Sequence, residues 1–157
     1  MKLLLPILLA AQSVPAAAAE ADSPPDADVA AVMATVNALR SAVAAHDGAG
    51  VLAVILPDGK ATVVAQRPDG SFVTRHPSWA EFVGGIRPGP EHFDPRFHDV
   101  TVRIDGPIAV AWTPYAFFVD GTLHHCGANH FDLIRDGGSW KILNITYTYR
   151  VQGCAAG

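Results

Sequence analysis

Basic residues are scarce in this chain and do not cluster. The 157 residues include 11 Lys and Arg against 15 Asp and Glu, which gives a formal net charge of −4 at pH 7. Binding to nucleic acid requires clustered cations that face phosphates, so the composition argues against a nucleic-acid partner. Internal repeats are missing too, and the length favours a single domain.

A membrane-spanning run is also missing. The apolar stretch at residues 3–14 is interrupted by Pro6 and is shorter than the roughly 20 residues that a spanning helix needs. Lys2 before it and a run of alanines at 17–19 after it are typical of a signal peptide over residues 1–19. The alternative is a buried N-terminal helix. We expect a periplasmic or secreted protein with no lipid anchor, since no cysteine follows the leader, and no membrane association after leader cleavage.

Cysteine is limited to two residues, Cys126 and Cys154. In an oxidising compartment they can pair. The predicted strand register places Cys126 opposite Tyr149, and a chain that turns at Gly153 would bring Cys154 back towards it. We therefore expect a Cys126–Cys154 disulfide. The alternative is one buried thiol and one thiol in the tail; a reactive thiolate is disfavoured because no Lys or Arg flanks Cys126.

The chain divides into a leader, a linker, one folded domain and a tail. Residues 20–27 are acidic and rich in proline, which predicts a disordered linker. The domain covers 28–152, and 153–157 form the tail. Apolar spacing, turn signals and β-branched runs predict helices at 28–46, 49–56 and 77–83 and strands at 60–65, 71–75 and 97–104.

Residues 107–150 are predicted to form three antiparallel strands joined by tight turns at Asp120-Gly121 and Gly137-Gly138, because Asp and Gly accept the positive φ of hairpin turns. The turns fix which side chains share a face, unless a bulge shifts the register. One predicted face carries Trp112, Phe118, Leu123, His125, Asn129, Phe131, Leu133, Trp140, Ile142, Asn144 and Thr146. The other carries Tyr115, Phe117, His124, Cys126, His130, Asp132, Ile134, Leu143, Ile145, Tyr147 and Tyr149.

Helices followed by a long antiparallel meander indicate an α+β fold in which helices cover one face of a curved sheet. The segments that carry a family resemblance are Trp112-Thr113-Pro114-Tyr115, Asp120-Gly121, His125-Cys126-Gly127 and Gly138-Ser139-Trp140-Lys141-Ile142. On these segments the chain resembles the nuclear transport factor 2-like superfamily (SnoaL-like proteins included), a cone whose curved mixed or antiparallel sheet wraps over N-terminal helices. Within this superfamily the chain resembles the exported types described as putative lumazine-binding or DUF4440 proteins.

The resemblance implies a pocket between the helices and the concave sheet face. The first face has more large apolar groups and also places polar groups among them, which is typical of a small-molecule site. The predicted pocket residues are Trp112, His125, Asn129, Phe131, Asn144 and Thr146. The alternative is that these polar groups only hydrogen-bond one another beneath the helices.

His125 is the candidate general acid or base, because imidazole exchanges protons near neutral pH. Catalysis would need a carboxylate to orient it, and the sequence offers only distant ones, at Asp47, Asp58, Glu81 and Asp94. The acidic base of the superfamily's isomerases has no matching position here, so no reaction is carried over.

Neither a metal nor another cofactor is expected, although imidazole is a good zinc or copper ligand. His124 and His125 are consecutive on a strand and face opposite ways. His124 and His130 are about 20 Å apart along it. Only a residue of another strand, such as His98, could complete a site.

The second face is rich in aromatic residues, and if it is convex its exposure would be unusual for a monomer. We expect a homodimer through this face.

Three functions remain open: binding of a small apolar or aromatic molecule in the cone, catalysis of an isomerase, cyclase or hydrolase type with His125 as acid or base, and a non-catalytic scaffold with a collapsed core. A cavity above a few hundred Å³ would favour binding over the scaffold, and a carboxylate hydrogen-bonded to His125 would favour the enzyme.

Overall fold

The computed structural model describes residues 26–154, so the predicted leader, linker residues 20–25 and tail residues 155–157 lie outside the described residues. Within this range the elements follow in the order α1 (Asp26–Ala44), α2 (Gly48–Val54), β1 (Ile55–Gln66), β2 (Phe72–Arg75), α3 (Trp79–Gly84), β3 (Phe93–Phe97), β4 (Thr101–Asp105), β5 (Ile108–Val119), β6 (Thr122–Asp136) and β7 (Ser139–Tyr149).

The strands form one curved, open, mixed sheet. Its order is β2-β1-β7-β6-β5-β3, and β4 also pairs with β5. The β1–β7 pair is parallel and the others are antiparallel. This confirms the predicted α+β architecture of a curved sheet over N-terminal helices.

Helix α1 packs against the sheet through one apolar stripe. Val32, Val36 and Leu39 recur at helical spacing and are buried, and the Thr35 hydroxyl donates to the Trp140 carbonyl of β7 at 3.1 Å. By length and apolar composition α1 also meets the criteria for a membrane-crossing helix, and among residues 26–154 it is the one helix that does. Here its apolar stripe belongs to the core.

The register of the long meander differs from the prediction because each hairpin contains a bulge. Next to the two turns the predicted pairs are present: Phe118 pairs with Leu123, and Leu133 pairs with Ile142. The register then shifts by one residue, at His124 in the first hairpin and at Leu143 in the second. An extra residue in one strand moves every later side chain to the other face.

The predicted faces are therefore partly wrong. His125, Asn129, Phe131, Leu133, Trp140 and Ile142 lie on the inner face as expected. Five aromatic and apolar residues assigned to the convex face also line the inner side: Tyr115, Phe117, Ile145, Tyr147 and Tyr149. Trp112 now pairs with His130 instead of Asn129, and Asn144 pairs with Asp132 instead of Phe131.

The strand predicted at 97–104 is two strands, β3 and β4, which both pair with β5. They are separated at Asp99, whose φ is +49°, and the buried Thr113 hydroxyl donates to the His98 carbonyl at 2.9 Å. A short side chain such as Asp tolerates this left-handed conformation, so the break allows the chain to follow the curvature of β5.

The predicted disulfide is confirmed: Cys126 and Cys154 are bonded, with their Cα atoms 5.7 Å apart. Cys126 forms a backbone bridge with Arg150, one residue beyond the predicted partner Tyr149. The bond joins the C-terminal segment to the first third of β6.

Candidate functional site

A cavity of about 930 Å³ lies between the inner sheet face and the end of α1, α3 and the loop at 85–91. The curvature of the sheet and the covering helices create this space. Its wall on the sheet side consists mainly of aromatic rings, among them Phe93, Phe97, Phe117, Phe131, Tyr147 and Tyr149. Such a lining favours flat, apolar ligands over charged ones.

His125 is held inside a stack of aromatic rings. Its ring lies nearly parallel to Phe117, with centroids 4.7 Å apart, and to Tyr149, with centroids 4.2 Å apart. Tyr115 meets it edge-on at 5.6 Å. The bulge at His124 produces this arrangement, because it places Phe117 rather than Ala116 opposite His125.

The electrostatics of His125 favour the neutral ring. Burial, together with the adjacent His124, lowers the pKa of His125 to about 4. Its Nδ1 lies 2.9 Å from Nδ1 of His124, so one of the two rings donates a hydrogen bond there and the other accepts it. The Nε2 atom of His125 has no hydrogen-bond partner among residues 26–154.

Asn129 supplies a polar group at a buried position of the cavity wall. Its side chain is 8% exposed, lines the cavity and has no hydrogen-bond partner among the described residues. Its backbone is fixed between Thr113 on β5 and Tyr147 on β7. Because the amide is open to the cavity and can both donate and accept, this side chain is positioned to bind a polar group there.

The tyrosines of the cavity are neutral phenols. Burial raises the pKa of Tyr115, Tyr147 and Tyr149. The hydroxyl of Tyr115 donates to the Thr148 carbonyl at 2.8 Å, which fixes its ring against the sheet. Tyr147 and Tyr149 thus contribute apolar ring surface with a polar hydroxyl at the edge.

Solved structures of other proteins share this architecture. The described fold superposes on the beta subunit of a putative aromatic-ring-hydroxylating dioxygenase from Novosphingobium aromaticivorans, with a TM-score of 0.65, 16% identity and coverage of 83% of this chain and 95% of that chain. A protein of the same organism, described as NTF2-like with a cystatin-like fold, gives a TM-score of 0.62, 19% identity and coverage of 83% and 86%. The chain has the nuclear transport factor 2-like fold.

A putative dehydratase of this fold from Streptomyces avermitilis gives a TM-score of 0.61, 17% identity and coverage of 80% of this chain and 97% of that chain. No protein-family model matches the sequence, and no curated protein does. At these identities the likeness concerns the fold of the nuclear transport factor 2-like cone and leaves its activity open.

Three of the six predicted pocket residues line the cavity: His125, Asn129 and Phe131. The placement of Trp112, Asn144 and Thr146 was wrong because of the two bulges. Trp112 lies on the outer face and is 50% exposed, and Asn144 donates to the Asp132 carboxylate at 3.2 Å. Thr146 is exposed on β7.

The cavity residues missed from the sequence are the inner aromatic residues of β5 and β7 and the rim at 87–91. The rings were visible as an aromatic cluster, but were assigned to the opposite face. The rim had only the signal of a loop rich in proline and glycine, which does not indicate where the loop packs.

Three carboxylates near the cavity already have structural partners, whereas the carboxylate of Glu91 in the cavity lining has none among residues 26–154. Glu81 accepts from the Ser78 backbone and hydroxyl in the cap of α3, Asp47 caps α2, and Asp94 pairs with Arg96 at 2.8 Å. Among residues 26–154, no carboxylate hydrogen-bonds to His125. The same range contains no group of three or more His, Cys, Asp or Glu that could hold a metal ion.

Proposed function

We propose that this protein binds a small, planar aromatic molecule inside its cone, with no reaction assigned. The observation that carries the proposal is the Asn129 amide, which has no hydrogen-bond partner among residues 26–154 and lies in the mostly aromatic sheet wall of a cavity of about 930 Å³. Ligand pockets usually measure about 300–1,000 Å³ and combine apolar walls with a few placed polar groups. A scaffold with a collapsed core would have no such space.

The chemistry of the wall narrows the ligand class. Phe117, Tyr147 and Tyr149 offer ring faces and edges for stacking with an aromatic ligand. The Asn129 amide can both donate and accept, so it suits a hydroxyl or carbonyl group. In the described part of the chain, the sheet wall itself carries no charged side chain: the charged residues of the lining belong to α1, α3 and the rim, and they are Arg40, Glu81, Arg87 and Glu91.

The proposal is tested with a matched pair of probes, 2-naphthol and naphthalene, by fluorescence titration. We expect both to bind. The substitution Asn129→Leu should weaken 2-naphthol about tenfold, the effect of one hydrogen bond, and should leave naphthalene unchanged. Asn144→Leu is the matched control, because Asn144 lies on the outer face, and it should change neither affinity.

Two outcomes contradict different parts of the proposal. If the wild-type protein binds neither probe, a cavity for planar aromatic molecules is wrong. If both probes bind and Asn129→Leu leaves their affinity ratio unchanged, aromatic binding stands and the polar contact to Asn129 is wrong.

An enzyme with His125 as general acid or base is the second candidate. It is supported by the position of His125 in the cavity wall and by the fold that this chain shares with a putative dehydratase. A pKa of about 4 makes His125 a neutral but weak base at pH 7. Because His125 is a weak base and no carboxylate among residues 26–154 orients it, binding is the better supported function.

Export and dimerisation complete the proposal. The leader pattern and the Cys126–Cys154 disulfide support a periplasmic or secreted location.

The aromatic residues first assigned to a dimer interface line the cavity instead. Three other apolar side chains of β5 are exposed on the outer face: Ile108, Val110 and Trp112. We assign the homodimer interface to this surface, defined as the β5 patch.

A further inference from the structure

His46 connects the helices to the rim of the cavity. It lies between α1 and α2 in the left-handed region, with φ at +55°. Its ring packs on Phe93, with centroids 3.9 Å apart and an interplanar angle of 30°. Phe93 itself lines the cavity, so His46 supports the wall from behind.

Both ring nitrogens of His46 contact carbonyl oxygens of the rim. Nδ1 lies 2.8 Å from the Arg87 carbonyl, and Nε2 lies 2.9 Å from the Glu91 carbonyl. A carbonyl oxygen can only accept, and a neutral imidazole has a single N–H. Two hydrogen bonds of this kind therefore require the imidazolium, which donates from both nitrogens.

The rim, residues 87–91, has few other attachments. Its residues line the cavity and are exposed to solvent, and Pro88 and Pro90 have no N–H to donate. The Arg87 guanidinium donates only to the nearby Gly84 carbonyl, at 2.8 Å. Among the described residues, His46 makes the only hydrogen bonds that join the rim to a distant part of the chain.

The surroundings of His46 are compatible with a positive charge. The carbonyl groups at the end of α1 precede it and favour a cation there. Other charged or titratable groups on the elements packed around it are Arg40 on α1, Asp47 at the cap of α2, Arg87, Glu91 and His92 in or beside the rim, and the paired Asp94 and Arg96 on β3.

We propose that His46 is a positioning residue that holds the cavity rim closed when its imidazole is protonated and releases it when the imidazole is neutral. Loss of the proton removes one of the two hydrogen bonds. The rim therefore becomes freer as pH rises, because deprotonation leaves one of the two carbonyl groups without a donor. The consequence for ligand exchange rests on the proposed function, whereas the motion of the rim does not.

Nuclear magnetic resonance of the unliganded protein tests the proposal. Long-range 1H–15N correlations should show both nitrogens of His46 protonated at pH 5 and only one at pH 8. The Cα–Hα order parameters of residues 88–91 should fall over the same pH interval, from about 0.85 to below about 0.6. A single N–H on His46 at pH 5, or a rim whose order does not follow this titration, would overturn the proposal.

The variant His46→Asn removes the ring and keeps a residue that tolerates positive φ. Its rim should be mobile at both pH values. His76→Asn is the control, because the His76 ring hydrogen-bonds Thr62 and has no hydrogen bond to residues 87–91 in the described part of the chain, and it should behave as wild type. Where His46→Asn does not fold, the wild-type titration decides the proposal by itself.

Ligand exchange provides a separate measurement. If the rim controls access, 2-naphthol should dissociate about tenfold faster at pH 8 than at pH 5 in wild type, the effect of one lost hydrogen bond, and at the faster rate at both pH values in His46→Asn. Failure of 2-naphthol to bind would refute the proposed ligand class and leave the rim measurement intact. Binding with a pH-independent dissociation rate would refute control of access by His46.

Discussion

His125 shows how one residue can couple the cavity to protein stability. The pKa of His125 is about 4 in the folded chain because the ring is buried and His124 is adjacent, against about 6.5 for an unfolded histidine. Above pH 6.5 both states are neutral, and no stability is lost. As pH falls from 6.5 to 4 the unfolded chain binds a proton that the folded chain does not, so stability decreases by at most about 3 kcal/mol.

The substitution His125→Phe keeps a flat ring between Phe117 and Tyr149 and removes this titration. We expect the difference in unfolding free energy between variant and wild type to shift in favour of the variant as pH decreases from 6.5 to 4, in urea denaturation measured at several pH values. If the difference in unfolding free energy between His125→Phe and wild type does not change with pH, the pKa of His125 is not lowered in the folded protein.

At the scale of elements, the sequence predicted the turns well and the strands between them less well. Asp120 and Gly121 both have positive φ, as the two-residue turn requires, and local chemistry alone determines this. The bulges depend on distant contacts: Gly59 of β1 lies against the Leu143 carbonyl, at the bulge of β7. Both faces of the meander carry large apolar side chains, so the hydrophobic pattern could not reveal the shift.

The same reasoning explains which site residues were predictable. His125, Asn129 and Phe131 are all on β6 and share one face, because side chains alternate between the two faces along a strand. The bulge at His124 comes before these three residues and does not change their orientation relative to one another. Trp112 and Thr146 lie on the neighbouring strands, and each is separated from its turn by a bulge. The site residues on one uninterrupted strand were therefore placed together correctly, and those that lie beyond a bulge on a neighbouring strand were not.

Gly127 tests how tightly the strands fit beside the site. A Cβ at this position would collide with the Thr148 carbonyl on β7, so Gly127→Ala should separate β6 from β7 next to His125 and Tyr149. We expect a loss of about 1–3 kcal/mol in unfolding free energy, as for other overpacked sites. Chemical denaturation measures it, and the near-ultraviolet circular dichroism of the stacked rings should change as well.

Gly84→Ala is the matched control for Gly127→Ala, since a Cβ at Gly84 would have no atom within 4 Å. It should change stability little and leave the ring signal intact. An equally stable Gly127→Ala protein would mean that β6 and β7 can move apart there at no cost.

At the scale of the whole molecule, the sheet has two apolar faces with different partners. The inner face is covered by the helices and encloses the cavity. The outer face carries the β5 patch, in which Ile108, Val110 and Trp112 are 55%, 39% and 50% exposed. Alternate residues of one strand project to the same side, so these three side chains form a continuous surface of the kind that usually marks an interface.

A homodimer through this surface should be broken by one charge at its centre. We expect wild type to be dimeric in sedimentation equilibrium and Trp112→Lys to be monomeric, because two copies would place uncompensated ammonium groups in a buried interface. Leu52→Lys is the control: Leu52 is 51% exposed on α2, away from β5, and the substitution should leave the dimer intact. A monomeric wild type, or a Trp112→Lys dimer as stable as wild type, would exclude the β5 patch as the dimer interface. Because Trp112 lies on the face opposite the cavity, Trp112→Lys should still bind 2-naphthol with wild-type affinity, which separates assembly from ligand binding.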